Sequence, residues 1–576
     1  QPPEGFEDLE LTLTAPGLCV YRSSDAMCRI PPKSRGVVIG DLFTREDTPR
    51  PIATFDAATA LNILSTRGRS LLSSHWGQYV AISRSPESGD THVLRDPSGG
   101  LPCYILRHRD AIYIGSDIAL LFSAARTRPS VDSTRLLRFL FAFDLRTPET
   151  CLAGVEELLA GCALDLGGAR NASTPVWSPW DHVQASDERG QSPERLANTL
   201  DACVRAWTQV YRRPLLTVSG GLDSSILAAC LVATDATASY LTLATEDPVG
   251  DERVFARALA DHLHLDLRED GYAMADIDLE TPTSAHLPRP TLHALSAAEY
   301  ACRRRHTDMI GANALMTGIG GDNVFCSMSS ATPILDRWRV EGPGVSVWRT
   351  LNDVCHLTGC SYLQAGRMAT ARALSGKTAY RWEGNPQFLN LDALRAARFD
   401  LNHPWLAAPN GALPGKAAHI AKLVRIQATI DGFPRRGAPP QIHPLLSQPV
   451  VETCLAVPTW AWIAGGQNRS VARQAFADRL PELILNRRTK GGPDSFAFDI
   501  VDTHRARLRE RLLDGELARR GLLDLDALDA ALHPDRTVRA LDYMRLSALI
   551  EAETWTRRMS DGWVTAPPEG MRTGPS

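Results

Sequence analysis

The chain has 576 residues, a formal net charge of −4 and 44% hydrophobic residues, enough for a large core and two domains. Its 62 basic and 66 acidic residues leave no basic excess that would indicate nucleic-acid binding. The sequence has no apolar run of the length of a membrane span, no signal segment and no CxxC pair among its twelve cysteines. We therefore expect a cytoplasmic protein with reduced thiols.

The first 185 residues predict a β-rich domain. Short stretches alternate between apolar and polar residues, which is typical of half-buried strands. Clusters of Gly, Pro and Ser, such as residues 97–100, separate these stretches and indicate turns. The predicted strands are 77–82, 91–94, 104–106 and 111–114.

A change of pattern at residues 174–180 predicts a domain boundary near residue 185. The second domain, 186–564, is expected to begin with a helix from Ser192 to about Val210. Ser192 caps this helix, and the proline that follows takes its first position. Residues 565–576 are expected to form a disordered tail.

The second domain alternates strands with helices. Strands are predicted at 214–218, 238–244 and 313–317. Helices are predicted at 224–233, from near Asp251 onward, and at 295–309. This alternation is typical of an α/β fold with a doubly wound parallel sheet, and the rest of the domain reads as extra helices.

A glycine-rich loop lies between the first of these strands and its helix. Residues 217–225 read Thr-Val-Ser-Gly-Gly-Leu-Asp-Ser-Ser. Backbone N–H groups at such a turn and helix N-terminus suit a phosphate, and the carboxylate of Asp223 implies a bridging Mg²⁺. We predict a site for ATP with its metal. The alternative is a plain βα turn capped by serine; a GxxxxGK[ST] loop is excluded because no Lys follows the second Gly.

This loop resembles the pyrophosphate-binding loop of the ATP pyrophosphatases, in particular the asparagine synthetase branch, which cleaves ATP between the α and β phosphates. Residues 315–325, Leu-Met-Thr-Gly-Ile-Gly-Gly-Asp-Asn-Val-Phe, resemble a second loop of that branch, although alone they could be a tight turn. The resemblance implies that Asp322 joins Asp223 in binding the metal. The nucleotide contacts that it implies are Val218, Ser219, Gly220, Gly221, Asp223, Ser224, Ser225, Leu241, Leu243, Thr317, Gly318 and Gly321.

A third element lies at residues 480–492, which end in Arg-Arg-Thr-Lys-Gly-Gly. By themselves these residues could be a basic helix end followed by a Gly stop. In the family a Lys before a mobile loop stabilises charge that develops on pyrophosphate and on the reacting intermediate. The resemblance assigns this catalytic role to Lys490, together with Asp223 and Asp322, and makes Arg487 a weaker candidate for phosphate contact.

The first domain resembles the Ntn glutaminase domain of asparagine synthetases, a β-sandwich. The similar segments are 76–81, 94–104 and 114–117. The glutaminase nucleophile is an N-terminal Cys, whereas this sequence opens Gln1-Pro2-Pro3 and its first cysteine is Cys19. We expect a degenerate domain with a structural role only.

Residues 320–325 and the stretch from 443 to 491 look like lasso peptide cyclases, a branch that lacks glutaminase activity. β-Lactam synthetases carry a catalytic Tyr, and asparagine synthetases a Glu, where this chain has Ile319. The resemblance implies a macrolactam synthetase acting on a precursor peptide, with a leader-peptide-binding protein and a leader protease as partners. The alternatives are a β-lactam synthetase, an ammonia-dependent asparagine synthetase, and a non-catalytic ATP-binding partner protein.

The base that takes the proton of the attacking amine stays unassigned. Weak candidates for this role or for substrate contact are Glu299, Asp353 and His356. The pair Asp251 and Glu252 resembles an acidic pair of the family and is a weak candidate for metal contact, and Trp460 and Trp462 are weak candidates for lining a peptide site. For each of them an ordinary role in a helix, a cap or the core is the alternative.

Overall fold

The structure is a computed structural model. It describes residues 3, 5–23, 26–29, 35–85, 88–167, 173–184, 192–244, 250–291, 297–376, 378–432, 434–488, 494–536, 542–560 and 563. The predicted boundary at 185 and the predicted tail lie outside these residues. We refer to residues 3–184 as the N-terminal part and to residues 192–563 as the C-terminal part.

The N-terminal part is rich in strands, as its alternating sequence predicts. Its strands are β1 (Leu9–Ala15), β2 (Leu18–Ser23), β3 (Cys28–Arg29), β4 (Gly36–Thr44), β5 (His75–Arg84), β6 (Thr91–Arg95), β7 (Tyr104–His108), β8 (Ala111–Gly115), β9 (Val155–Glu157), β10 (Cys162–Leu166) and β11 (Ser173–Pro175). Its helices are α1 (Ala57–Ser65), α2 (Leu71–Ser74), α3 (Ile118–Ala125) and α4 (Ser133–Phe141). The four predicted strands correspond to β5, β6, β7 and β8.

Two antiparallel sheets make up most of the N-terminal part. One has six strands in the order β11-β10-β6-β5-β4-β3, and the other has the order β8-β7-β9. Val80 and Val93 of the larger sheet share one buried apolar cluster with Ile105 of the smaller sheet. The cluster accounts for the alternation in sequence, since one face of each strand is turned toward it.

The C-terminal part contains the remaining elements. Its strands are β12 (Pro214–Thr217), β13 (Ser239–Ala244), β14 (Leu267–Gly271), β15 (Ala314–Met316) and β16 (Gln441–Ile442). Its helices are α5 (Ser192–Val210), α6 (Leu222–Val232), α7 (Arg253–Leu263), α8 (Ala297–Ile310), α9 (Gly321–Val324), α10 (Thr332–Glu341), α11 (Val345–Thr358), α12 (Tyr362–Leu374), α13 (Leu391–Ala397), α14 (Pro414–Gln427), α15 (Gln448–Ala456), α16 (Ser470–Ala475), α17 (Glu482–Leu485), α18 (Asp494–Thr503), α19 (Arg505–Leu513), α20 (Glu516–Arg519), α21 (Leu525–Leu532) and α22 (Tyr543–Ser560).

The five strands of the C-terminal part form one parallel sheet, which confirms the α/β prediction. Their order is β14-β13-β12-β15-β16, and every adjacent pair is parallel. In chain order, β13 and β14 add to one side of β12, and β15 and β16 then add to its other side. Ligands of open parallel sheets bind where the direction of addition reverses, at the carboxyl ends of the two central strands. The fold therefore points to the loops after β12 and β15.

In the C-terminal part the sequence predicted three of the five described strands and missed two short ones. In the N-terminal part it missed seven of the eleven described strands, among them the nine-residue β4. Helix α5 spans the predicted residues 192–210, although Ser192 is its first residue rather than a cap outside it. β14 carries charged residues at three of its five positions, and β16 has two residues. Neither segment shows the apolar run that marks a buried strand.

The two parts share a continuous core. Phe43 and Trp76 of the N-terminal part contact Trp207 of α5, with ring centroids 4.9 and 6.0 Å from that of Trp207. All three rings are buried. None of the described helices is both long enough and apolar enough to cross a membrane.

A buried charge cluster also joins the two parts; its members are Arg95, Arg146, Glu157, Arg289 and Asp431. Arg289 of the C-terminal part donates to Glu157 over 2.7 Å and to Asp431 over 2.9 Å. Arg146 contacts the same two carboxylates from the N-terminal part. Because buried charges are costly unless paired, these contacts fix how the two parts meet.

Candidate active site

The loop after β12 carries the first predicted nucleotide-binding residues. Ser219 and Ser224 approach each other, with their hydroxyl oxygens 3.2 Å apart, and Gly221 N–H donates to the Ser219 hydroxyl over 3.3 Å. Gly221 stands at the N-cap of α6 and offers no side chain to cap it. The first N–H groups of a helix have no partner within the helix, so this end of α6 suits an anion.

The loop after β15 packs directly against the first loop. A Cβ atom added to Gly318 would lie 2.8 Å from the backbone nitrogen of Ser224, and one added to Gly321 would overlap the side chain of Asp223. Both positions therefore require glycine for this close approach. The contact places the two predicted loops side by side at the reversal point of the sheet.

The two predicted metal carboxylates meet at one cationic nitrogen. Arg469 Nη1 lies 2.9 Å from Asp223 Oδ1 and 2.7 Å from Asp322 Oδ1. Arg469 and Asp223 are largely buried, whereas the Asp322 side chain is 38% exposed. In the sequence, Arg469 belongs to the family-like stretch from 443 to 491, and no local pattern indicates a role for it.

The residues of this site fit a metal-bound nucleotide. Asp223 and Asp322 direct carboxylate oxygens at a common point, and carboxylate oxygens are ligands that Mg²⁺ prefers. The glycine-rich loops and the uncapped end of α6 lie beside that point and can receive phosphate groups. Both carboxylates named from the sequence are thus brought together, and either a divalent cation or a guanidinium can hold them.

Thr317 lies at the same edge of the sheet as β13, which carries the predicted nucleotide contacts Leu241 and Leu243. The Thr317 hydroxyl is 2.7 Å from His443 Nδ1. Burial lowers the pKa of His443 to about 4, so its imidazole is neutral near pH 7. The Leu241 carbonyl already accepts a hydrogen bond from Val218 N–H over 2.8 Å, and Leu243 is only half-buried. Of the two leucines, Leu243 is therefore the more accessible to a bound nucleotide.

Lys490, with the glycines after it, lies outside the described residues, but Arg473 holds the described residues that precede it through hydrogen bonds to their backbone. This arginine donates to the Asn468 carbonyl over 2.9 Å and to the Arg487 carbonyl over 3.0 Å, and it also contacts the end of α17. Burial and the neighbouring Arg469 lower the pKa of Arg473 to about 10. Arg469 and Arg473 are one helical turn apart, at the start of α16 and within it. Through these two arginines, one short helix contacts both the carboxylate pair and the backbone of the segment that precedes Lys490.

Arg487 is positioned by the first loop and α7. It donates to the Gly220 carbonyl over 3.2 Å, pairs with Glu252, and its guanidinium carbon lies 3.8 Å from the centre of the Phe255 ring. These contacts hold the segment that contains Arg487 against the glycine-rich loop after β12. They give Arg487 a role in holding the loop, beside the phosphate contact predicted from the sequence.

The weaker candidates have ordinary partners. Asp251 accepts a two-pronged hydrogen bond from Arg253, and Glu299 pairs with Arg303 one turn along α8. The fully buried Trp462 stacks on Phe325 with ring centroids 6.1 Å apart, and is a core residue.

The remaining weak candidates lie near the turn at residues 459–466. Burial raises the pKa of Asp353, which lies on α11 together with His356. His356 packs against Gly466, and Trp460 lies 9% exposed under the guanidinium of Arg337. None of these contacts identifies a base for the amine.

A cleft opens beside the second loop at Asn323, the residue after Asp322. It has a volume of about 190 Å³, opens to solvent and lies between the two parts of the chain. Aromatic side chains of the N-terminal part form one wall, and residues 425–429 at the end of α14 form the other. Asp144 pairs with Arg425 there, and Arg425 stacks on Trp382 at 4.6 Å. The cleft offers both apolar and charged surface, and the residue that follows Asp322 in the chain lines it.

Comparison with known proteins identifies one family. The profile of the family described as Asparagine synthase matches residues 195–425 and 441–557, which is more than half of the chain. The matched residues include both glycine-rich loops, both carboxylates and Arg469. A search of curated proteins returns no match.

Proposed function

Because the chain belongs to the asparagine synthase family, whose members are ATP-dependent amide-bond ligases, we propose that it is an ATP-dependent macrolactam synthetase for a ribosomal precursor peptide. The observation that carries the ligase chemistry is the convergence of Asp223 and Asp322 on one point beside two glycine-rich loops. The peptide substrate is the finer part of the proposal, and it rests on the sequence motifs and on the cleft.

Activation of the substrate is the first step. The carboxylate of an Asp or Glu side chain attacks the α-phosphorus of ATP, a new P–O bond forms, and the bond to the β-phosphate oxygen breaks to release pyrophosphate. Asp223 and Asp322 would hold Mg²⁺, which family members typically use and which neutralises charge on the phosphates. The first loop would bind the pyrophosphate portion through its N–H groups.

Ring closure is the second step. The N-terminal amine of the same peptide attacks the activated acyl carbon, the C–O bond to AMP breaks, and the amine loses a proton. Ile319 cannot accept that proton, and the described residues offer no assigned base. The AMP phosphate or water is left as the acceptor in this proposal.

The enzyme's main contribution to ring closure would be to hold the peptide folded. Effective molarities for well-oriented intramolecular reactions reach on the order of 10⁵ M or more, equal to roughly 7 kcal/mol or beyond. A flexible peptide does not keep such a geometry by itself. The cleft of about 190 Å³ beside Asn323 opens to solvent and would receive part of the peptide.

The N-terminal part would then serve as a wall of the cleft rather than as a source of ammonia. Phe139 and Phe143 line the cleft from that side. We extend the proposal to an Ntn-like origin of this part, a division of the chain near residue 185, and a leader-binding protein and a protease that prepare the peptide. The two-sheet architecture with an apolar cluster between the sheets supports the first of these.

ATP–pyrophosphate exchange with a panel of acceptors tests the proposal. Exchange that depends on a linear core peptide supports the macrolactam synthetase. Exchange driven by free aspartate would replace it with asparagine synthesis, and exchange driven by a small carboxylated amine would replace it with a β-lactam synthetase. Absence of exchange with every acceptor, while ATP binding persists, would favour a non-catalytic ATP-binding protein.

A further inference from the structure

Three side chains with metal-binding atoms converge at the carboxyl end of β14. Cys302 Sγ donates to Asp270 Oδ2 over 3.1 Å, and His306 Nε2 lies 2.7 Å from the same oxygen. All three ligand atoms lie within 4.8 Å of one another. Cys302 and His306 are four residues apart on α8 and so share one face of the helix.

We propose that Asp270, Cys302 and His306 bind a divalent transition-metal ion, with Zn²⁺ as the ion that fits best. A set of one sulfur, one nitrogen and one oxygen suits a borderline-soft ion, and it does not suit Mg²⁺ or Ca²⁺, which prefer oxygen alone. The site uses none of the residues of the nucleotide site, so it does not depend on the proposed function.

The positions of the three atoms are close to those that a tetrahedral complex needs. With Zn bonds of about 2.0 to 2.3 Å, ligand atoms of a tetrahedron lie about 3.3 to 3.7 Å apart. The observed separations of 2.7 and 3.1 Å differ from these by less than about 1 Å. Small side-chain rotations therefore suffice, and the backbone of β14 and α8 already places the ligands.

The surroundings leave room for a fourth ligand. Cys302 is fully buried and the His306 side chain is 14% exposed, whereas the Asp270 side chain is 37% exposed. The open side lies at the carboxylate, where an ion can enter and a water can complete the tetrahedron. Cys302 on the inner side would exclude competing water from the metal–sulfur bond.

The expected consequence of binding is a cross-link between α8 and the edge of the sheet. Asp270 pairs in register with Leu243 of β13, the more accessible of the two leucines that are predicted to contact the nucleotide. Tyr300 of α8 and Leu243 both pack against the buried apolar cluster that contains Leu241. The ion would therefore fix α8 against the strand beside the nucleotide site.

Metal content and Co²⁺ spectroscopy of the full chain test this site without nucleotide or peptide. A chelator first removes bound metal from the protein. One sample is then titrated with Zn²⁺ against a chromophoric competitor, and a second metal-free sample is titrated with Co²⁺. We expect one equivalent of Zn²⁺ per chain, a thiolate-to-cobalt charge-transfer band in the near ultraviolet, and a higher Tm of the loaded protein. Failure of the wild-type chain to take up a stoichiometric ion would overturn the proposal.

Variants identify the ligands. Cys302→Ser should abolish the charge-transfer band, and Asp270→Asn and His306→Gln should each weaken Zn²⁺ binding at least tenfold. Cys19→Ser and His262→Gln, at exposed positions, should leave both readouts unchanged. Circular dichroism confirms that each variant is folded. A band that survives Cys302→Ser, or equal binding by Asp270→Asn and His306→Gln, would contradict the assignment whatever the enzyme's substrate proves to be.

Discussion

Arg469 Nη1 lies 2.7 Å from Asp322 Oδ1, and the same nitrogen is 2.9 Å from Asp223. One guanidinium thus joins two loops that are far apart in sequence; Asp223 and Arg469 are separated by 246 residues. A cation between two carboxylates relieves their repulsion when the metal is absent. Metal binding at these carboxylates must therefore compete with Arg469 or displace it.

Replacing Arg469 should destabilise the metal-free protein and increase its response to Mg²⁺. In Arg469→Gln the two carboxylates face each other without this cation, at a cost of about 1 to 3 kcal/mol in the free energy of unfolding. Added Mg²⁺ should raise the Tm of the variant more than that of the wild type. Arg395→Gln, which removes an exposed pair with Asp392, is the control and should change the free energy of unfolding by less than about 1 kcal/mol. Equal Mg²⁺ responses of wild type and Arg469→Gln would contradict the competition.

The carboxylates themselves should be essential for adenylation. Asp223→Asn and Asp322→Asn each remove a metal ligand, and we expect about a 100-fold or larger loss of ATP–pyrophosphate exchange. The exposed Asp235→Asn is the matched control and should retain exchange. Near wild-type exchange in either active-site variant would remove that residue from the metal site.

The contact between the two loops should be intolerant of a single methyl group. Gly318→Ala places a Cβ atom 2.8 Å from the backbone nitrogen of Ser224, so the loops must separate. We expect weaker ATP binding, measured by calorimetry, and a lower Tm. Gly366→Ala, inside α12 with open space around it, is the control; helix propensity predicts a gain of about 0.5 to 1 kcal/mol there. Unchanged ATP affinity in Gly318→Ala would show that the loops need not touch.

The buried charge cluster should make stability depend on acid pH. Burial alone would raise the pKa values of Asp431 and Glu157, but Arg146 and Arg289 outweigh burial and hold both pKa values below their usual range. Because the folded-state pKa values are lowered, the stabilisation is complete above the unfolded-state values near 4 and is lost as the pH falls below them.

Asp431→Asn separates this contribution from the rest. We expect a loss of about 3 to 5 kcal/mol at pH 7, since the variant leaves buried arginines with one carboxylate fewer. The further loss between pH 6 and pH 3 should be smaller than in the wild type. Denaturant unfolding at a series of pH values measures both, with the exposed Asp392→Asn as control. Parallel pH profiles of wild type and Asp431→Asn would contradict the assignment.

The sequence predicted the features that depend on neighbouring residues. Apolar periodicity located β5 to β8 and α5 to α8, and the glycine-rich strings located both loops of the site. The short β14 and β16 were missed because neither carries an apolar run: charged residues fill much of β14, and β16 spans two residues. Their place in the sheet comes from pairing with β13 and β15, which no local pattern encodes.

The roles of Arg469 and Arg473 could not be predicted for a related reason. Each acts on residues distant in sequence or on backbone carbonyls, and a basic residue on a short helix has the same local signature whether it faces solvent or a carboxylate. The pairing of Cys302 with Asp270 is another case, because a strand that was not predicted supplies one partner. A cysteine and a histidine four residues apart were the signal that the sequence did offer.

The most direct test of the central claim is mass spectrometry of a linear core peptide incubated with the full chain, ATP and Mg²⁺. The account predicts a product lighter than the substrate by one water, with its N-terminal amine and one Asp or Glu side chain joined, and one AMP and one pyrophosphate released per ring. A peptide of unchanged mass, under conditions in which the chain makes AMP and pyrophosphate with a small carboxylated acceptor, would contradict it.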